Sequence, residues 1–212
     1  MRVVVVDYGS GNLGSMLRAI EELGARPELA TQPDMIKGAD RILLPGVGSF
    51  SDCMRSLIEK DWPKALKDAT QDKAVPLLGV CVGMQLLASR GDEGASDPEG
   101  TPGLGFVPGR VRHLRELCCD ERLPHMGWNA ISLSGHSDLL FSGIPDGTSF
   151  YFAHSYAMLP DDLTQVIATA RHGADFVAAV RVGHVWGTQF HPEKSSRAGF
   201  KVLRNFLQAT PC

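Results

Sequence analysis

Cys81 is the residue whose setting in the sequence most favours chemistry. It stands at the centre of the pentapeptide Gly79 to Gly83, between the apolar run 75–78 and a run, 84–87, that predicts the start of a helix. Glycines two residues to each side suit a nucleophile elbow with Cys in place of Ser. A thiol at such a turn faces a helix N-terminus, which favours the thiolate. The pattern predicts a nucleophile, with a buried core cysteine as the alternative.

A second chemical motif ends the segment 185–193, which closes in His-Pro-Glu. Pro192 disfavours helical dihedrals for the residue before it, so we expect His191 to be extended, with Glu193 on the same side of the chain. A carboxylate beside an imidazole fixes its tautomer and stabilises the imidazolium. We therefore predict Cys81, His191 and Glu193 as nucleophile, general base and orienting carboxylate.

Two other interpretations of these residues are weaker. His-x-Glu also begins a zinc deaminase signature, but that signature needs a later Pro-Cys-x-x-Cys, and the adjacent pair Cys118 and Cys119 lies upstream of Glu193. We predict no metal and no cofactor. His154 is a second candidate base without a carboxylate at a matching offset. We interpret it as a packing or hydrogen-bonding histidine.

An acyl-transfer nucleophile also needs backbone donors for the oxyanion, each contributing about 3 kcal/mol in the transition state. The N–H of Val82, directly after the nucleophile, is one candidate. A second is the N–H of Val47, since Gly46 and Gly48 on either side leave its peptide free to rotate. An ordinary strand-to-helix turn is the alternative for that segment.

The elements around these residues indicate an α/β fold with a largely parallel central sheet, flanking helices and a small antiparallel part, in a single domain over residues 1–212. Continuous apolar runs at 2–6, 41–44 and 75–78 are typical of parallel strands buried on both faces. Residues 91–109 are rich in Gly, Pro and acidic residues and predict a loop. Short strands are predicted at 110–114, 129–133, 149–153, 165–169, 176–182 and 185–189, the last two as a hairpin, and a closing helix at 195–208.

The N-terminal segment also fits a dinucleotide-binding fingerprint. Gly9, Gly11 and Gly14 follow a strand and begin a helical pattern, and Asp34 lies 20 residues beyond Gly14. Pro33 separates Asp34 from the second strand, however, and a dehydrogenase would leave the Cys, His and Glu unused. Binding of NAD remains the less favoured alternative.

Composition excludes several classes of protein. The 212 residues carry a net charge of −3 without a basic cluster, which gives no support to nucleic-acid binding. The longest apolar runs are far too short to span a membrane, and the start of the chain has the pattern of a core strand rather than a signal peptide. Five cysteines, an odd number, argue against a disulfide framework and for a reduced, cytoplasmic protein.

Together these residues resemble a known family, the glutaminase subunits of imidazole glycerol phosphate synthase, which are class I triad glutamine amidotransferases of histidine biosynthesis. The resemblance runs nearly end to end. It is carried by Gly79-Val-Cys-Val-Gly-Met-Gln85, His191-Pro-Glu-Lys-Ser195, Asp7-Tyr-Gly-Ser-Gly-Asn-Leu13, Pro45-Gly-Val-Gly48, Thr101-Pro-Gly-Leu-Gly105, Pro124-His-Met-Gly-Trp-Asn129 and His154-Ser-Tyr156.

The resemblance implies an activity and a partner. Members of the family hydrolyse L-glutamine through a cysteinyl thioester and send ammonia to a barrel-shaped cyclase subunit, with which they form a heterodimer. The cyclase makes imidazole glycerol phosphate and aminoimidazole carboxamide ribotide. A triad glutaminase serving a different synthase, or a catalytically silent scaffold, remains an alternative.

The resemblance also implies roles for individual residues. Those that would hold glutamine are Gln85, Glu93, Ser155, Tyr156 and Gly48. Those that would meet the cyclase or gate ammonia are Asn12, Trp128, Tyr151 and Lys194. The Gly46–Val47 peptide would be a switch that completes the oxyanion hole when the partner binds its ligand. The segment 89–94 is less acidic than is usual in the family, which leaves the role of Glu93 less secure than that of Gln85.

Overall fold

The computed structural model of the chain describes residues 1–135 and 138–209. Its α-helices are α1 (Leu13–Glu22), α2 (Phe50–Glu59), α3 (Trp62–Lys67), α4 (Val82–Gln85) and α5 (Ser196–Gln208). Its strands are β1 (Arg2–Val6), β2 (Arg26–Ala30), β3 (Arg41–Gly46), β4 (Leu77–Cys81), β5 (Ala88–Gly91), β6 (Thr101–Pro102), β7 (Val107–His113), β8 (His125–Leu133), β9 (Ser149–His154), β10 (Tyr156–Pro160), β11 (Val166–His172), β12 (Ala174–Val182) and β13 (Val185–Thr188). Short 3-10 helices lie at Pro33–Ile36, Leu114–Leu117, Leu139–Phe141, Leu163–Gln165 and Pro192–Lys194, and a π-helix at Asp68–Asp72.

The main sheet has nine strands in the order β2-β1-β3-β4-β13-β12-β11-β8-β9. Neighbours from β2 to β13 are parallel, and those from β13 to β9 are antiparallel. A second sheet of four strands has the order β10-β7-β5-β6. The α/β fold predicted from the sequence is confirmed, with an antiparallel part that is larger than expected.

The parallel half of the sheet forms the centre of the core. Val3 to Val6 of β1 are fully buried, as are Leu77 and Leu78 of β4, because helices cover both faces of a parallel sheet. Helix α5 packs through an apolar stripe at helical spacing, formed by Val202, Leu203, Phe206 and Leu207. The continuous apolar runs of the sequence therefore correspond to the most deeply buried strands.

Strand register gathers three chain segments at one edge of this sheet. Gly46 at the end of β3 pairs with Cys81 at the end of β4, and Thr188 at the end of β13 pairs with Val80. Parallel strands end at the same edge, so the segments that follow β3, β4 and β13 meet there. His191 follows Thr188 by three residues.

Several predicted boundaries were wrong. The strand placed at 75–78 is Leu77–Cys81, so the cysteine ends the strand instead of following it. The loop predicted at 91–109 contains β6 and the start of β7, and β10 was not predicted at all. These strands belong to the second sheet, where β7 pairs with β10 and β5, and β6 pairs with β5. Strand β7 contains Pro108 and Gly109, which are turn signals in a sequence. A Cβ on Gly109 would lie 2.3 Å from the carbonyl oxygen of Leu159 in β10, so its glycine reflects a close strand contact.

The remaining expectations concern the membrane and the cysteines. In the described parts of the chain, no helix has the length and apolarity needed to cross a membrane. Cys53, Cys81, Cys118 and Cys119 are free thiols. Cys212 lies outside the described residues.

Candidate active site

The turn that carries Cys81 is fixed by close backbone contacts. Cys81 has φ 56° and ψ −114°, a conformation that costs a non-glycine residue about 1–3 kcal/mol and is concentrated at functional sites. A Cβ on Gly83 would lie 1.8 Å from the oxygen of Leu44, and one on Gly79 would lie 2.5 Å from the oxygen of Gly83. Only glycine fits at these two positions, and the thiol is therefore held in one place.

The helix after Cys81 is shorter than the sequence indicated. Helix α4 spans only Val82–Gln85, and residues 86–87 form a turn. A single helical turn aligns few peptide dipoles, so its N-terminus carries less positive charge than a long helix would. The principal positive charge near the thiol must come from a side chain.

His191 supplies that charge and is oriented by Glu193. Its Nδ1 donates to Oε1 of Glu193 at 2.9 Å, and the two side chains are only 4% and 2% exposed. The backbone N–H of His191 donates to the carbonyl of Tyr151 at 2.9 Å, and Ser195 Oγ donates to the carbonyl of His191 at 2.6 Å. The imidazole is therefore held on both its ring and its backbone.

The backbone conformation that brings His191 and Glu193 together differs from the prediction. His191 is extended, with φ −95° and ψ 97°, but residues Pro192–Lys194 form a 3-10 turn. Glu193 reaches the ring by folding back through that turn rather than by alternation along a strand. The strand itself ends three residues earlier, at Thr188.

The electrostatics of His191 favour the imidazolium. Burial lowers the pKa of His191, but hydrogen bonds to Cys81 and Glu193 and the negative charges of both outweigh it and raise the pKa to about 9. The ring therefore carries a proton at neutral pH. An imidazolium beside a cysteine stabilises the thiolate.

Gln189 also contacts the thiol, a role that sequence reasoning missed. Its side-chain Nε2 lies 3.8 Å from Sγ of Cys81, and its Oε1 accepts from Nε2 of Gln85 at 3.0 Å. Gln189 is completely buried. The only feature of the sequence that could have indicated this role is that Gln189 lies two residues before His191. The sequence alone does not show whether the amide at that position is buried or exposed.

A cavity of about 280 Å³ lies over Cys81. All the residues proposed to hold glutamine line this cavity, as do the nucleophile Cys81 and the base His191. The lining comprises Val47, Gly48, Cys81, Val82, Gln85, Glu93, Pro124, Ala153, His154, Ser155, Tyr156, His191 and Lys194. A larger cavity of about 800 Å³ lies against α3 and contains neither cysteine nor histidine in its lining.

Two polar side chains in the smaller cavity retain free acceptor capacity. Gln85 donates to the carbonyl of Tyr156 at 3.0 Å, while its own Oε1 is buried without a partner among the described residues. Oε2 of Glu93 accepts from the N–H of Phe50 at 3.2 Å. Burial raises the pKa of Glu93, an effect that the hydrogen bond from Phe50 opposes. Both groups suit a ligand with N–H donors.

The Val47 turn differs from the Cys81 turn in being loosely held. Val47 is 41% exposed, and a Cβ on Gly48 would meet nothing within 4 Å. The N–H of Val47 donates to Oγ of Ser10 at 3.4 Å, and the same hydroxyl donates to the carbonyl of Val47. In this structure the predicted oxyanion donor is thus engaged by Ser10, whose role the sequence did not reveal.

Gly46, the other half of that peptide, is crowded. A Cβ there would lie 2.6 Å from the Tyr8 hydroxyl and 2.8 Å from the backbone nitrogen of Gly83. Its glycine therefore reflects packing against the nucleophile turn as well as conformational freedom.

Three of the residues assigned to the partner interface, Trp128, Tyr151 and Lys194, form one surface. The rings of Trp128 and Tyr151 lie edge to face at 6.3 Å, and Nζ of Lys194 lies 5.9 Å from the Tyr151 ring centre. Trp128 is 55% exposed and Met126, on the same side of β8, is 65% exposed. We refer to these four residues as the Trp128 surface. Asn12 is half-buried directly before α1, a helix that contacts the 3-10 turn containing Lys194, and its side chain does not cap that helix.

The alternative sites suggested by the sequence have structural roles. His154 is buried and hydrogen-bonded, as interpreted, and also lines the cavity. Asp34 lies in the 3-10 helix beyond β2, where its exposed carboxylate pairs with Lys37 at 2.5 Å.

Comparison with known proteins relates the chain to one family. The model of the family described as "Glutamine amidotransferase class-I" matches residues 4–209. The imidazole glycerol phosphate synthase subunit HisH of Caulobacter vibrioides is 44% identical over 99% of this chain and 99% of that protein. The HisH subunit of Moorella thermoacetica is 41% identical over 96% of this chain and 93% of its own length. A crystal structure described as a glutamine amidotransferase shares the fold, with a TM-score of 0.70 at 22% identity over 97% of each chain.

Proposed function

Because the chain belongs to the class-I glutamine amidotransferase family, and within it to the family of the imidazole glycerol phosphate synthase subunit HisH, we propose that it hydrolyses glutamine and delivers the ammonia to a cyclase subunit. The observation that carries this proposal is one cavity lined by the fixed Cys81 and by a His191 ring that Glu193 orients. That arrangement has the parts of a nucleophilic acyl-transfer site.

The chemistry divides into two halves. Cys81 thiolate attacks the side-chain amide carbon of glutamine, and the tetrahedral intermediate expels ammonia with the proton that His191 carries. The product of this half is a glutamyl thioester. A water then attacks the thioester carbon, His191 accepts its proton, and glutamate leaves as the thiolate is restored. Glu193 orients the ring and stabilises the imidazolium.

The oxyanion of both halves requires two donors. Val82 would supply one N–H from the fixed turn, and Val47 the other from the loose turn. Because the Val47 N–H donates to Ser10 in this structure, its peptide must rotate about Gly46 before the hole is complete. Such a rotation gives the partner subunit a means of controlling glutamine hydrolysis.

The cavity over Cys81 would hold the amino-acid end of glutamine. The Glu93 carboxylate and Oε1 of Gln85, which has no partner in the described part of the chain, are acceptors for an α-ammonium group. Ser155, Tyr156 and Gly48 line the same cavity and would complete the contacts.

The relatives' names describe subunits of imidazole glycerol phosphate synthase, and we extend this to a heterodimer in the cytoplasm. An exposed apolar group beside the cavity mouth is typical of an interface core, and Trp is among the residues that contribute most to binding. In the Trp128 surface, Trp128 and Met126 are exposed and Lys194 lines the cavity. A nucleophilic thiol must also stay reduced, which favours a cytoplasmic location.

Glutamine hydrolysis tests the function directly. The assay compares the chain alone, the chain with a histidine-pathway cyclase, and that pair with the cyclase's ribotide ligand, against Cys81→Ala as the blank and Cys118→Ala as a control at an exposed thiol. Strong activation only in the complete mixture supports the proposal. Turnover without a partner would indicate a glutaminase serving a different synthase, and silence in every mixture would indicate a scaffold.

Titration calorimetry tests the partner surface separately. Trp128→Ala should weaken cyclase binding by at least about 2 kcal/mol, the range of an interface hot spot. Leu163→Ala removes another exposed apolar side chain, 76% exposed, and should leave the affinity unchanged. Equal effects of the two variants would refute the assignment.

A further inference from the structure

We propose that His125 is a positioning residue for glutamine binding: through His154, its ring fixes the carbonyl of Tyr156 that holds Gln85 in the cavity. This inference rests on the proposed function only for the identity of the ligand. His125 itself does not line the cavity, so it would act through the residues that do.

The hydrogen bonds of this network have a single consistent direction. The carbonyl of Tyr156 can only accept, so Nδ1 of His154, at 2.8 Å, must be the donor. A neutral His154 then has Nε2 as an acceptor, and the Nδ1–H of His125 donates to it at 3.0 Å. Nε2 of His125 in turn accepts from the side-chain amide of Asn129 at 3.3 Å.

Asn129, at the end of the network away from the cavity, fixes which nitrogens of His125 and His154 carry the protons. Nδ2 of Asn129 also donates to the carbonyl of Arg171 at 2.8 Å, which orients the amide. Every ring nitrogen of His125 and His154 therefore has one partner, and both rings must be the Nδ1–H tautomer. A network with all its members satisfied specifies one geometry.

The surroundings keep both rings uncharged. His125 and His154 are 4% and 6% exposed and pack against the rings of Phe152 and Phe176. Burial, with a further effect of the nearby His172, lowers the pKa of His125 to about 4. Burial likewise lowers the pKa of His154 to about 3, although its bond to Tyr156 opposes the shift. A second proton on either ring would remove an acceptor that the network needs.

The network ends where the ligand would sit. The Tyr156 carbonyl accepts from His154 and also from Gln85, and Gln85 in turn donates to Gln189 beside the thiol. If His125 were absent, Nε2 of His154 would be buried without a donor, and the other tautomer would turn a lone pair of Nδ1 toward the Tyr156 carbonyl. Either change removes the donor that fixes the Tyr156 carbonyl against Gln85, although backbone pairing with β7 and the Leu114 N–H still hold the strand.

The first test is the tautomeric state of the histidines in the full chain. Long-range nitrogen–proton NMR spectra at neutral pH should show His125 and His154 as neutral Nδ1–H tautomers. An Nε2–H tautomer at either ring, or a charged ring, would overturn the proposal. This measurement does not depend on turnover, so it stands even if the chain proves not to be a glutaminase.

The second test is a set of matched variants assayed with the activated complex. His125→Leu should raise the KM for glutamine about tenfold, the effect of losing one buried hydrogen bond, with little change in kcat. His125→Asn keeps an N–H near the position of Nδ1 and should restore the KM. His172→Leu removes the ring stacked on His125 at 4.3 Å but no member of the network, so its KM should stay near wild type.

The variants separate positioning from packing. A KM for His125→Asn as high as that for His125→Leu, or an equal rise for His172→Leu, would show that ring packing matters rather than the hydrogen bond. An unchanged KM in His125→Leu would refute the proposal outright. Absence of glutamine turnover in the wild type would count against the proposed function and leave the tautomer spectra to decide the network.

Discussion

Two neighbouring strand-to-helix turns of the same sheet are built in opposite ways. The Cys81 turn follows β4 and is fixed by backbone contacts that exclude any Cβ at Gly79 or Gly83, with the thiol 3% exposed. The Val47 turn follows β3, is 41% exposed at Val47 and has open space around Gly48. One turn holds a side chain in place. In the other, the backbone N–H and the carbonyl of Val47 are both hydrogen-bonded to the hydroxyl of Ser10.

This difference matches the two tasks that the proposed reaction sets. A nucleophile must keep a fixed distance from its base, since small displacements reduce the rate steeply. A donor that is supplied only when a partner is ready must instead have two positions of similar free energy. The fixed nucleophile and the movable donor lie at the same edge of the sheet because Gly46 of β3 is paired with Cys81 of β4.

Gly83→Ala should have the largest effect on stability, because it places a methyl group inside the closely packed turn around Cys81. The new Cβ would lie 1.8 Å from the oxygen of Leu44, and overpacking against backbone of this severity should lower the free energy of unfolding by at least about 3 kcal/mol. Urea titration measures it. Gly14→Ala, in helix α1 where a Cβ meets only a side-chain atom at 3.8 Å, is the control and should stabilise the chain slightly. Equal stabilities of the two variants would contradict the account of the rigid turn.

Glu193→Gln should reduce glutamine turnover about a hundredfold or more while leaving the fold intact, because the imidazolium loses its counter-charge. The pH dependence sharpens the test. The pKa of His191 is raised to about 9, above its ordinary value of 6.5, by the hydrogen bonds and charges of Cys81 and Glu193. The alkaline decline in kcat/KM should therefore lie near pH 9 and move to lower pH in the variant. If the alkaline decline in kcat/KM lies at the same pH in Glu193→Gln, a group other than His191 is responsible for it.

The same shift affects stability, with a definite sign. A group whose pKa is higher in the folded chain stabilises the fold fully below its unfolded pKa, here 6.5, and loses that contribution as pH rises through about 9. The free energy of unfolding should thus fall across this window, and by less in Glu193→Gln. Urea titrations at several pH values measure the slope, and identical slopes in both proteins would be inconsistent with this origin of the shift.

Ser10→Ala should have the smallest effect and act only on the loose turn. Removing the hydroxyl frees the Val47 peptide, so glutamine hydrolysis without partner ligand should rise about fivefold, in keeping with the loss of one weak hydrogen bond. The fully stimulated rate should not change. Ser15→Ala removes another serine hydroxyl near the start of α1 and is the control. A basal rate equal to that of Ser15→Ala would show that Ser10 does not restrain the peptide.

The sequence indicated the rigid turn well and the loose turn poorly, for a physical reason. Close backbone contacts require glycine at fixed positions. The glycines at 79 and 83 are therefore visible in the sequence and indicate the tight turn around Cys81. The restraint on Val47 comes instead from Ser10, 37 residues away, and a serine between two glycines has no feature that specifies its partner.

Other differences have the same origin. The sequence predicted that His191 and Glu193 lie together, but not the 3-10 turn that joins them, because the preference imposed by Pro192 stops at the preceding residue. Strand β10 and the pairing of His125 with His154 depend on contacts between distant segments. Such contacts leave no local periodicity to detect.

Identification of the covalent intermediate tests the central claim most directly. The chain, bound to the cyclase and its ligand, is mixed with glutamine, quenched in acid and digested, and the glutamyl adduct is located by mass spectrometry. A thioester on the peptide that contains Cys81, absent in Cys81→Ala, is the predicted result. An adduct on Cys53, Cys118 or Cys119, or steady turnover without any adduct at Cys81, would contradict it.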